Sequence, residues 1–62
     1  MPNIIVALNR EIARVAALLQ KLTPEARDDA KREIRLAQEW MRQNSLGDMQ
    51  ESLAELSEIR GL

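Results

Sequence analysis

Carboxylates are the side chains best placed to do chemistry in this chain. Its 62 residues include no histidine, cysteine or tyrosine, so the usual bases and nucleophiles that work near neutral pH are missing. Asp28 and Asp29 are the closest acidic pair. Adjacent positions on a helix point about 100° apart, so the two cannot converge on one substrate or metal ion. They suit instead the first turns of a helix, where negative charge favours the dipole. Glu51, Glu55 and Glu58 do share a helical face and could hold a divalent cation loosely, but a solvated acidic face accounts for them more simply. The sequence therefore predicts no catalytic residue, no metal site and no cofactor, and a protein that is not an enzyme.

The charge layout carries more information. Arg27, Lys31, Arg35, Gln38 and Arg42 recur at spacings of three and four, and Asp48, Glu51, Glu55 and Glu58 do the same further on. Basic and acidic stripes of this kind flank the seam of a helical bundle and steer its pairing, or form a charged surface for another protein. The formal net charge of −1 provides no general attraction for nucleic acid or anionic membrane. A recognition helix after Gly47 would carry four acids against Arg60, which phosphate repels. Trp40 is the only aromatic residue for base stacking. A small helical dimer that grips nucleic acid through the basic stripe remains an alternative function.

These side chains have to be positioned by helices. Ile5, Leu8, Ile12, Val15, Leu19 and Leu22 alternate at three and four residues, the rhythm of a helix lying along other helices. Ile4 and Leu18 widen that seam, while Val6, Ala13 and Ala17 fall within about 40° of each other on the far side. The spacing predicts a first helix over residues 3–22, launched by Pro2 or Asn3. Thr23-Pro24-Glu25 marks the next boundary: a capping hydroxyl, a proline suited to the first helical position, and an acid for the dipole. The second helix reads as residues 24–43, with Ala26, Ala30, Ile34, Ala37 and Met41 as its inner stripe. Around Asn44-Ser45-Leu46-Gly47, either Gly47 forms a left-handed cap or Ser45 caps a third helix, and Ser45 is preferred. The third helix then spans residues 46–60, with Leu46, Met49, Leu53 and Leu56 facing inward, Gly61 stopping it and Leu62 beyond.

A helix that is apolar nearly all round is usually buried all round. Chains of this length sit near the limit at which one core suffices, and disulfides and a histidine- or cysteine-bound metal are excluded by composition. The expectation is a single all-α domain over residues 1–62: an antiparallel helical hairpin plus a shorter third helix, assembling into a helical-bundle homo-oligomer. Its homodimer interface would use Ile5, Val6, Leu8, Ile12, Ala13, Val15, Ala17 and Leu19. Leu36 and Trp40, one turn apart and outside the inner stripe, read either as a cover for the core or as anchors for a partner, with Arg35 and Arg42 as charged neighbours. No apolar run exceeds five residues, so no membrane span is expected, and Asn9, Arg10, Glu11 and Arg14 interrupt the first helix too early for a signal core. Surface binding to a membrane by the first helix is disfavoured by Glu11 on its apolar side. The function expected is a cytoplasmic protein–protein interaction module, an adaptor, inhibitor or regulator, that docks through a helix face. The alternative is a purely structural piece of a larger assembly.

Overall fold

The computed structural model describes residues 3–60, so Pro2, Gly61 and Leu62 lie outside the described residues. It is all-helical: α1 (Ile4–Leu18), a 3-10 turn (Leu19–Lys21), α2 (Pro24–Gln43) and α3 (Leu46–Ser57). Asn3 starts α1, its side-chain Oδ1 accepting the Ile5 amide at 2.9 Å. Thr23 starts α2 in the same manner, accepting the Ala26 amide at 3.3 Å, with Pro24 in the first helical turn. Each cap satisfies one of the amides that a helix start leaves without a partner.

The first helix ends earlier than the spacing predicts. Regular α geometry stops at Leu18, the chain tightens into the 3-10 turn, and Leu22 is extended at φ −89°, ψ 155°. Pro24 disfavours helical geometry at Thr23, so the chain must open out just before it. The carbonyls released by this change are taken up by Arg27, whose Nε donates to Leu19 O at 2.9 Å and Nη2 to Leu22 O at 3.2 Å.

In the second turn Ser45 occupies the capping position of α3 as expected, while the left-handed residue that ends α2 is not Gly47. Asn44 takes the left-handed position at φ 56°, ψ 40°, and Gly47 sits inside α3 without a positive φ. The Asn44 amide donates to Met41 O at 3.2 Å and the Ser45 amide to Trp40 O at 3.0 Å, the paired bonds of a Schellman ending. Asparagine tolerates this conformation better than other side chains. Ser45 does precede α3, but its hydroxyl donates to Asp48 Oδ2 at 2.7 Å and caps no amide.

α3 ends at Ser57, three residues short of the predicted Arg60. Here Arg14 reaches across from α1: Nη2 donates to Leu56 O at 2.8 Å and Nη1 to Ile59 O at 2.9 Å. The same guanidinium is steadied by Glu11, with Nε 2.9 Å from Oε2.

Short turns make α2 antiparallel to both neighbours and leave α3 parallel to α1. The predicted hairpin plus third helix is present, yet α3 packs more extensively on α1 and on α2 than these two pack on each other. The fully buried core consists of Leu8 and Val15 from α1, Ala30 and Ala37 from α2, and Met49 and Leu56 from α3. Alanine on α2 lets the neighbouring helices come close, and Ile4, Ile12, Leu19, Leu22, Ile34, Met41, Leu53 and Ile59 close the edges. Leu46 was expected inside but is 59% exposed, and Ser52 is buried in that stripe at 4% exposure. The inward face of α3 is centred on Met49, Ser52 and Leu56, and Leu46 lies about 80° round from that centre. Among the described residues, no helix is long and apolar enough to cross a membrane.

Candidate protein-docking groove

Beside its inner stripe, α2 presents Asp29, Arg32, Glu33, Leu36 and Trp40 within an arc of about 100°. The matching flank of α3 carries Glu51, Ser52, Ala54, Glu55 and Glu58. The two flanks leave a trough along the α2–α3 seam. One end, of about 450 Å³, is lined by Leu36, Trp40, Ser52 and Ala54 with Glu33, Glu51 and Glu55 at its edges. The other end, of about 440 Å³, has Leu22, Ala26, Ala30 and Ile59 on its floor and Asp29, Arg32, Glu58 and Arg60 on its rim. Glu33 and Glu55 border both ends.

Trp40 is half-buried against the core and also forms a wall of the trough. Leu36, one turn earlier, is 37% exposed beside it. Ser52 lies on the floor, almost wholly buried, and its hydroxyl makes no hydrogen bond within the described residues. Among the described residues no enclosed side-chain polar atom lacks a partner, so this hydroxyl opens into the trough.

The electrostatics are one-sided. Glu33, Glu51, Glu55 and Glu58 form no ion pair among the described residues, whereas Asp29 has Arg32 at 3.7 Å with both side chains mostly exposed. Glu51 and Glu55 are four residues apart on α3, and like charges at that spacing repel. Glu55 and Glu58 sit near the negative end of the helix dipole, a further unfavourable placement. The glutamates do not gather as a metal-holding group among the described residues.

Of the residues singled out by spacing, Leu36 and Trp40 come together here, while Arg35 and Arg42 do not line the trough. Both arginines are exposed, about 100–120° round α2 from Leu36, and Arg42 is paired with Glu39. Arg27, the first member of the basic stripe, is occupied with the carbonyls that end α1. On α1, Leu8 and Val15 are spent on the chain's own core, and Ile12 and Leu19 are half-buried against it. Ile5, Val6, Ala13, Ala16 and Ala17 remain exposed on the back of that helix. Spacing groups Glu51 and Glu55 on one face of α3 but does not join them to Ser52 or to Glu33 on α2. Their angular positions on the two flanking helices were the available signal.

The chain matches no known family model, and no curated protein and no solved structure matches it.

Proposed function

We propose that this protein is a small non-enzymatic interaction module, an adaptor or regulator, that docks a helix of another protein in the α2–α3 groove and pairs with a second copy of itself through the back of α1. The observation that carries the reading is the placement of Leu36 and Trp40 side by side in an open trough. Helix-in-groove recognition uses apolar anchors at i and i+4, and tryptophan is enriched among residues that dominate binding energy. The back of α1 supports self-association: Val6 is 50% exposed, and Ala13, Ala16 and Ala17 beside it are short enough for two helices to approach closely. A purely structural module would leave no apolar surface open once assembled, and the trough stays open when α1 is covered. A cytoplasmic setting fits a chain without cysteine.

Two measurements test this reading. Light scattering across a hundredfold dilution should give a dimer mass for the native chain and a monomer mass for Ala13→Glu; a native monomer throughout would remove the homodimer. Docking is tested with tryptophan-free amphipathic helical peptides of differing charge, read through Trp40 emission. At least one should bind, and Leu36→Ala should weaken it at least fivefold without unfolding the chain. Silence from every peptide would refute docking in the groove.

A further inference from the structure

We infer that the occupant of the α2–α3 groove is a cationic amphipathic helix of a partner protein, its apolar face against Leu36 and Trp40 and its lysines or arginines against Glu33, Glu51 and Glu55. The inference rests on the docking reading above and assigns the chemistry of the partner.

Charge complementarity selects this occupant. The trough is bordered by Asp29, Glu33, Glu51, Glu55 and Glu58 against Arg32 and Arg60, and Arg32 is already committed to Asp29. An acidic or neutral helix laid there would leave the glutamates desolvated without counter-charge, which costs more than their exposure to water. A basic helix gives each of them a partner and relieves the repulsion along α3. The Ser52 hydroxyl opens into the trough from its floor. It can donate to, or accept from, a polar group carried in beside the apolar anchor. The small apolar patch at Leu36 and Trp40 and the acidic rim together fit a helix with lysine or arginine flanking leucine at four-residue spacing, and they fit poorly a nucleic acid or an anionic membrane.

The test uses the full chain and two eighteen-residue, tryptophan-free helical peptides, one of leucine and lysine and one of leucine and glutamate, at 20 and 200 mM salt. The lysine peptide should shift Trp40 emission to shorter wavelength and saturate, and its affinity should fall about tenfold between the two salt concentrations. Glu51→Gln with Glu55→Gln should weaken it about five- to tenfold. Glu25→Gln with Asp28→Asn removes the same charge from outside the trough and should change affinity by less than twofold. The groove double variant should also melt no lower than the native chain, since it removes a repulsive pair. Falling affinity at unchanged or rising stability is a combination that a folding defect cannot produce. Equal affinity for the two peptides, or equal loss in the two double variants, overturns the cationic partner while leaving docking intact. If neither peptide binds, docking itself fails. A Trp40 shift on dilution of the protein alone, without peptide, would instead make the occupant a second copy of this chain and overturn the inference.

Discussion

Replacing Arg14 with methionine tests whether a single guanidinium closes the end of this bundle. Methionine keeps the apolar stem in place against the neighbouring helix and removes only the forked head. The head donates to Leu56 O and Ile59 O at 2.8 and 2.9 Å. Hydrogen bonds from a charged group contribute about 1.5–3 kcal/mol each when well buried. The Arg14 side chain is 37% exposed, so solvent screening reduces each to roughly half, and about 2 kcal/mol is expected for the pair. In a chain of this size that corresponds to a fall in Tm of about 8–16 °C. Arg14→Lys retains charge but cannot bridge two carbonyls, and should lose about 1 kcal/mol. Glu11, whose side chain is 24% exposed beside Arg14, is left as an unpaired carboxylate in Arg14→Met. Adding Glu11→Gln should therefore recover about 0.5 kcal/mol. Urea unfolding followed by circular dichroism gives these differences, and hydrogen exchange should place the extra opening at the end of α3. A loss below about 0.5 kcal/mol for Arg14→Met would refute the closing role, because an exposed side chain of no structural consequence behaves that way.

Other expectations are narrower. Arg27→Met should cost about 1 kcal/mol by freeing Leu19 O and Leu22 O, and in combination with Arg14→Met the losses should add within about 0.5 kcal/mol, measured by urea unfolding. At the α2–α3 turn, Asn44→Gly should be neutral or stabilising while Asn44→Ala loses about 1 kcal/mol, since Asn44 has φ 56°. Gly47→Ala should raise Tm, by about 0.5–1 kcal/mol in stability, because an added methyl group meets nothing within 4 Å. Leu56→Ala should cost about 2–5 kcal/mol and Leu46→Ala under about 0.5 kcal/mol, the first residue being fully buried and the second 59% exposed; equal losses in thermal melts would mean that α3 is rotated from the orientation described.

Periodicity revealed those parts of the fold that belong to single helices. Thr23-Pro24 announced its boundary because capping and proline geometry act locally, and the Ala30–Ala37 stripe was visible at the helical repeat. Leu46 was misplaced because a four-residue spacing cannot say where a stripe leaves the bundle. Asn44 carries no distinct signal beside Gly47, the residue with the greater backbone freedom, although asparagine can adopt the same left-handed turn. Arg14 and Arg27 looked like ordinary surface charges. Their carbonyl partners on other segments, as far as 45 residues away, have no signature in a local pattern. The groove was half legible: Leu36 and Trp40 share a flank of α2, but their opposition to Glu51 and Ser52 depends on how α2 and α3 are rotated against each other.

Since each helix touches the other two, the back of α1 lies across the core from the α2–α3 seam. Pairing through α1 would therefore turn the two grooves outward, away from the twofold axis. Such a dimer is bivalent: it can bridge two separate targets or seize two sites on one, but cannot enclose a single helix between its subunits. Two linked sites then hold on far more tightly than either alone wherever the spacing between them matches. Whether such a protein tethers two targets or plugs one would be set by whether the back of α1 is paired, and a monomeric Ala13→Glu variant would convert one behaviour into the other without touching a groove residue.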